Sequence, residues 1–208
     1  MFGDGSLSFR EFATREPLPL ARIHDAVLEF LSHRDDAALC GAQAVNAYVD
    51  ESRMTQDVDI LSTRAEPLAK EPRKYLADRF HIETRVRPLA QGIGFRIYQL
   101  RQPKNRHLVD VRSVSAFPPT QRVAEVLVPT VDDIVAQKVI SYCSRRGQPK
   151  SGTDWRDLTL LLLTYPQLKS ESGAVMERLK ANGADAQAIE EWRRLVASEI
   201  RPEQPDEY

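Results

Sequence analysis

The chain has 208 residues, of which 42% are hydrophobic and 28% charged, and its formal net charge is −1. That length suits one domain, or one domain with a small helical extension, and the composition is ordinary for a soluble globular protein. The near-neutral charge excludes the strong global basic field that marks many nucleic-acid-binding proteins, although local basic patches remain compatible with it.

The sequence predicts a cytoplasmic protein. Its longest apolar run, from Leu158 to Tyr165, is far shorter than the roughly 20 residues that a membrane-spanning helix needs. No basic segment followed by an apolar core opens the chain, so no signal peptide is expected. Cys40 and Cys143 lie in apolar contexts, and we interpret them as buried residues of a protein from a reducing compartment.

The N-terminal half predicts an α/β arrangement. Residues 1–18 are predicted to form an irregular arm, and Pro19 suits the first turn of a helix that begins near Leu20. Short apolar segments bounded by turn residues then predict strands. The predicted strands are 37–40, 57–61, 82–86, 94–100 and 107–111, with 122–128 as one further strand, and the predicted helices are 42–48 and 66–80.

The C-terminal half predicts helices alone. Apolar spacing predicts helices over 131–144, 153–163, about 173–181 and 184–200, followed by a frayed tail at 201–208. We therefore predict an α/β (α+β) fold. A mixed sheet with flanking helices, residues 19–130, would precede a helical bundle, residues 131–200.

The most informative motif is Asp57-Val58-Asp59. Side chains alternate along a strand, so both carboxylates project to one face, roughly 7 Å apart. Two like charges there gain little for stability, but they suit a divalent cation with hard oxygen ligands. Upstream, Gly41 separates a short strand from a helix, where backbone N–H groups hold phosphate in other proteins. The alternative is that this Asp-x-Asp is a solvated strand end.

Two segments carry a resemblance to a known family. They are Gly41-Ala42-Gln43-Ala44-Val45 and Arg53-Met54-Thr55-Gln56-Asp57-Val58-Asp59. They resemble the nucleotidyltransferase superfamily, which has the polymerase-beta-like fold, and within it the minimal AbiEii-like bacterial group. The pattern of that group is Gly-Gly-x-Ala-Val followed by Arg-x-Thr-x-Asp-x-Asp. This chain departs from it at the second position, where Ala42 stands in place of Gly or Ser.

The resemblance implies a magnesium-dependent enzyme that moves a nucleoside monophosphate from a nucleoside triphosphate (NTP) to an acceptor hydroxyl. Asp57, Asp59 and a third carboxylate on a neighbouring strand would hold two Mg²⁺ ions. Asp110 is the acid in the later strands that suits the third position, where it would help to activate the acceptor hydroxyl as a metal ligand or as a base. Its alternative role is that of an edge-strand acid paired with Arg106 or Arg112.

The resemblance also implies nucleotide contacts. Gly41 and Ala42 would hold phosphate through backbone N–H groups, and Arg53 and Thr55 would fix the loop or touch phosphate. Later motifs of the group match Lys138, Arg145, Lys150, Asp154 and Asp157. Lys138 would neutralise the triphosphate, and Asp157 would orient Lys138 or another basic group. The alternative is that Asp154 complements a helix N-terminus, with Ser151 or Thr153 as the cap, and that the basic residues form a solvated helix end.

The acceptor stays open among three hypotheses. A tRNA end would suit a toxin with a cognate antitoxin, and the candidate phosphate contacts are Arg101, Lys104, Arg106, Arg145 and Arg146. A small antibiotic-type molecule would favour an acidic cleft. The third hypothesis is a catalytically weak nucleotide-binding regulatory protein. The four histidines, His24, His33, His81 and His107, have no partner at metal-ligand spacing and are interpreted as structural or surface residues.

Overall fold

The structure, a computed structural model, describes residues 9–13 and 15–202. The chain forms two compact units. The first comprises the described residues up to Ala47 together with Ser52–Pro129, and the second comprises Tyr48–Glu51 and the described residues from Thr130 onward.

The first unit is built on a five-stranded mixed sheet with strand order β1-β2-β5-β4-β3. Strands β2 and β5 run parallel, and every other neighbouring pair runs antiparallel. The bounds are β1 Ala38–Cys40, β2 Val58–Ser62, β3 Thr84–Pro88, β4 Gly94–Gln99 and β5 Arg106–Ser113. The predicted strands are confirmed with ends that shift by one or two residues, and Asp57 lies just before β2.

The described part of this unit also contains four α-helices. The bounds are α1 Phe9–Ala13, α2 Leu20–Leu31, α3 Gly41–Asn46 and α4 Ala65–Phe80. Helix α4 contacts β3, β4 and β5 and also packs against α2. The alternating residues Val58 and Ile60 on β2 and Val109 and Val111 on β5 are fully buried. Burial of each such side chain stabilises the fold by roughly 1.5–3 kcal/mol. Helix α1 lies in the arm that was predicted to be irregular.

The prediction of a single strand over residues 122–128 is wrong. Strands β6, Thr120–Val123, and β7, Val126–Pro129, form an antiparallel hairpin instead. Ala124 and Glu125 both have positive φ, 45° and 67°, as the two central residues of a type I′ turn require. Asn-Gly or Asp-Gly is the usual sequence for that turn, so Ala-Glu gave no hairpin signal.

The second unit packs four helices together, with α5 in contact with each of the other three. They are α5 Val131–Ser144, α6 Pro149–Thr164, α7 Ala174–Ala181 and α8 Ala186–Ala197. Helix α6 begins four residues earlier than predicted because Pro149 occupies its first turn, where a missing N–H costs nothing. Among the described residues, no helix is both long and apolar enough to cross a membrane.

Candidate active site

A row of polar residues crosses the sheet on the face opposite to α4. Asp59 on β2 pairs in register with Asp110 on β5, which pairs with Arg96 on β4, which pairs with Arg87 on β3. Residues directly paired in a ladder project to the same face. The register therefore places two predicted carboxylates side by side, and two arginines occupy the paired positions on the next two strands.

Asp59 lies against the glycine turn that opens α3. Gly41 has φ of +68°, and a Cβ atom built on it would lie 2.3 Å from Asp59 Oδ2. The turn is thus restricted to glycine by its backbone conformation and by the close approach of the carboxylate. Arg112 Nη2 also donates a hydrogen bond of 2.8 Å to Asp59 Oδ1. The turn and the carboxylate, both singled out in the sequence, meet at one place.

Asp110 is the most enclosed of the three carboxylates, with a side chain that is 4% exposed. Arg96 binds it bidentately, through Nε to Oδ1 and Nη2 to Oδ2, both at 2.7 Å. Burial alone would raise the pKa of Asp110, but hydrogen bonds from Arg96 and His107 outweigh it and hold the pKa far below its usual range. The alternative of an edge-strand acid is not what the structure shows, because β5 lies inside the sheet.

His107 connects Asp57 to Asp110, which the sequence interpretation missed. Its Nδ1 lies 3.0 Å from Asp57 Oδ2 and its Nε2 lies 2.8 Å from Asp110 Oδ1. Burial would lower the pKa of His107, but hydrogen bonds to Asp110 and Asp57 raise it to about 9. One ligand atom from each of these three residues lies within 4.8 Å of the others, which makes them a candidate metal cluster.

The loop before Asp57 is held by the helix that follows the glycine turn. Gln43 Nε2 donates to Thr55 Oγ1 at 3.0 Å, and Thr55 Oγ1 donates to the Asp57 carbonyl oxygen at 3.0 Å. Asn46 bonds both the N–H and the carbonyl of Arg53. Thr55 therefore links α3 to the backbone of the loop before β2.

Residues 23–208 match the family described as nucleotidyl transferase AbiEii toxin, Type IV TA system. The chain belongs to this family. It is a nucleotidyltransferase-family enzyme, and the predicted relationship to AbiEii-like nucleotidyltransferases is confirmed. Among curated proteins, no sequence matches this AbiEii-family chain.

Solved structures show the same fold at low sequence identity. JHP933 from Helicobacter pylori aligns with a TM-score of 0.59 and 12% identity, over 92% of this chain and 93% of its own. The Megavirus polyadenylate synthase aligns with a TM-score of 0.58 and 11% identity, over 76% of this chain and 34% of its own. The predicted nucleotidyltransferase-like mixed sheet is thereby confirmed.

The second unit of this AbiEii-family enzyme contains a buried charge cluster. Lys138 Nζ on α5 lies 2.6 Å from Asp157 Oδ2 and 3.3 Å from Asp154 Oδ1 on α6, and Arg145 Nη1 lies 2.8 Å from Asp154 Oδ2. Lys138 is 11% exposed and Asp157 is 1% exposed. Asp157 thus contacts Lys138. Asp154 binds two cations from inside α6, so its interpretation as a charge at a helix start is wrong.

The arginines expected to contact RNA are mostly engaged within the protein. Arg106 pairs with Glu11 and Glu16, and Arg101 pairs with Glu16. In the second unit, Arg145 pairs with Asp154 and Arg146 with Glu191. By contrast, Lys150 is exposed and makes no ion pair within the described part of the chain.

Proposed function

We propose that this protein transfers a nucleoside monophosphate from an NTP to a hydroxyl group of an RNA, with a tRNA end as the first candidate. A cognate antitoxin protein would restrain this activity in the toxin–antitoxin setting that the family implies. One observation carries the choice of acceptor. The row Asp59–Asp110–Arg96–Arg87 joins acidic residues to a basic sheet edge on a single face.

The acidic residues have the donor chemistry that divalent cations need. Asp57, Asp59 and Asp110 supply hard carboxylate oxygens, and the cluster of Asp57, Asp110 and His107 has its ligand atoms close together. We infer that Asp57, Asp59 and Asp110 bind Mg²⁺, with two ions as the expected number. When bound, Mg²⁺ neutralises charge on the triphosphate and on the transferring phosphoryl group.

The chain's own groups would position the two substrates. The lowered pKa of Asp110 keeps it ionised at neutral pH, which suits a metal ligand better than a proton acceptor. Gly41 and Ala42 would bind phosphate through backbone N–H groups beside Asp59. We assign Lys138 and Lys150 to the triphosphate, with Asp157 orienting the Lys138 ammonium group through their 2.6 Å contact. Arg53 would contact phosphate at the loop before Asp57.

The basic edge favours a polyanionic acceptor. Arg85 and Arg87 on the edge strand β3 are exposed, and neither guanidinium makes an ion pair with a described residue. Tyr98 pairs in register with Arg85, and an aromatic ring next to cations suits stacking on unpaired bases. A small cationic antibiotic would be repelled by this surface, so the small-molecule hypothesis becomes the second candidate.

The first experiment detects transfer directly. Purified protein is incubated with Mg²⁺, total tRNA and each α-labelled NTP, beside Asp59→Asn and the matched control Asp35→Asn, whose carboxylate is exposed. Label on tRNA that disappears in Asp59→Asn and persists in Asp35→Asn is the expected result. Magnesium-dependent NTP binding without transfer to RNA would overturn the RNA acceptor, and absence of both would overturn the transferase proposal.

A second experiment tests the basic edge. Removing two phosphate contacts with Arg85→Gln/Arg87→Gln should weaken tRNA binding and reduce the steepness of its salt dependence, by about 0.7–0.9 per contact. The control Lys70→Gln/Lys74→Gln removes the same charge from α4, on the other side of the sheet. Equal salt dependence in both variants would contradict an RNA track along β3.

A further inference from the structure

His107 occupies the space between two carboxylates that belong to different strands. Its two ring nitrogens lie 3.0 Å from Asp57 and 2.8 Å from Asp110. Two ligand atoms on opposite sides of an ion with bonds of about 2.2 Å lie about 4.4 Å apart. The ligand atoms of Asp57, His107 and Asp110, all within 4.8 Å of one another, therefore need little movement to surround one ion.

A β-bulge places the imidazole at this position. Ile97 pairs with Val109, but the next residue, Tyr98, pairs with His107, so Leu108 is an extra residue on β5. In a regular strand His107 would share the apolar face of Val109. Bulges recur beside functional sites, where they redirect a side chain, and this one directs His107 to the carboxylate face.

Neutralising the charge of Asp110 does not by itself explain why the His107 imidazole lies there. Asp110 already has a complete bidentate ion pair with Arg96, at 2.7 Å through both oxygens. A second cationic partner on a carboxylate that is 4% exposed adds desolvation cost for a limited electrostatic gain. An imidazole that reaches both Asp57 and Asp110 is better explained by a role that needs a nitrogen donor between two oxygen donors.

We propose that His107 is a nitrogen ligand of the metal ion held by Asp57 and Asp110, which makes this a mixed carboxylate–imidazole site. The inference rests on the proposed metal-dependent function. Because metal binding needs a ring nitrogen without a proton, Asp57 and Asp110 would exchange their hydrogen bonds to His107 for bonds to the ion. Mg²⁺ prefers oxygen ligands alone, whereas transition ions accept imidazole, so the site binds Mn²⁺ more tightly than Mg²⁺.

Manganese is the probe for this site because it is paramagnetic. The full chain is titrated with Mn²⁺ and followed by electron paramagnetic resonance, and pulsed spectra of the bound ion are inspected for coupling to a ¹⁴N nucleus. The wild-type protein should show imidazole ¹⁴N coupling. His107→Gln should lose it and bind Mn²⁺ at least tenfold more weakly, with a smaller loss for Mg²⁺ measured by competition.

His33→Asn is the matched control, since His33 is exposed and lies against Glu125, away from the carboxylates. It should retain both the coupling and the affinity. Bound Mn²⁺ without ¹⁴N coupling in the wild-type protein would overturn the proposal, whatever the folding of the variants. If Asp57→Asn then abolished that binding, the carboxylate site and the proposed transferase would still stand. No Mn²⁺ binding would overturn both.

Discussion

The Gly41 backbone lies so close to the Asp59 carboxylate that a Cβ atom on Gly41 would lie 2.3 Å from Oδ2. The turn that opens α3 and the acid on β2 therefore define each other's positions. Any residue other than glycine at position 41 would have to displace the carboxylate or the turn. This contact connects the two sequence segments that carry the family resemblance.

Gly41→Ala should lower the free energy of unfolding by at least about 1–2 kcal/mol. The left-handed conformation at φ of +68° costs an L-residue roughly that amount, and the contact with Asp59 adds to it. Urea denaturation measures the change. Gly152→Ala is the control, because Gly152 lies inside α6 with open space around its Cβ position, so alanine should stabilise by about 0.5–1 kcal/mol. Equal free energies of unfolding for the two variants would contradict the close approach of the Gly41 backbone to the Asp59 carboxylate.

Arg96→Gln should destabilise the protein by about 2–3 kcal/mol, because it removes the bidentate partner of a nearly buried carboxylate. Arg87→Gln serves as the comparison. Arg87 lies directly opposite Arg96 in the β3–β4 ladder, and its removal relieves a like-charge pair. Chemical denaturation of Arg87→Gln should therefore show a free energy of unfolding within about 0.5 kcal/mol of wild type, or slightly above it. If both variants lost a similar free energy of unfolding, the Arg96–Asp110 ion pair would not be the source of the destabilisation.

Lys138→Met should cost about 3 kcal/mol, since it removes the cation that lies 2.6 Å from the nearly buried Asp157 carboxylate. Lys150→Met should leave the free energy of unfolding unchanged, because Lys150 is exposed. Calorimetric titration with NTP separates structure from binding. If Lys150 contacts the triphosphate, Lys150→Met should bind NTP more weakly while its free energy of unfolding stays unchanged. An unaltered affinity for NTP would show that Lys150 does not belong to the nucleotide site.

His24 should make the protein less stable as the pH falls below 6.5. Burial lowers the pKa of His24 to about 4, against opposing effects of the Asp57 and Glu11 charges, and its Nε2 has no hydrogen-bond partner among the described groups. The unfolded chain thus takes up the proton first. Stability is fully present above pH 6.5 and declines toward pH 4, by up to about 3 kcal/mol.

Urea denaturation at a series of pH values measures this effect in wild type and in His24→Gln, which should show a shallower decline between pH 6.5 and 4. His81→Asn, a change at an exposed histidine, should follow the wild-type curve. If His24→Gln and wild type declined in parallel, the acid sensitivity would belong to other groups.

The sequence by itself determined the features that depend on neighbouring residues. Alternation in Asp57-Val58-Asp59-Ile60 separates an acidic face from an apolar one, and the structure buries Val58 and Ile60 completely. The apolar spacing of 131–144 predicted α5 with its observed bounds. The Gly41 turn and the loop before Asp57 led to the family, because short motifs of this kind record local backbone geometry.

Tertiary structure alone decided the features that depend on which strands pair and in which register. The pairing of Asp110 with Arg96 follows from the β4–β5 ladder, and neither residue identifies the other along the chain. The sequence interpretation of His107 as a structural or surface residue rests on its having no partner at metal-ligand spacing, and regular alternation would place it on the face opposite to Asp110. The extra residue opposite Ile97 and Tyr98 moves the His107 side chain to the face of Asp110. The position of such a bulge depends on pairing with the neighbouring strand, and local sequence does not encode that pairing.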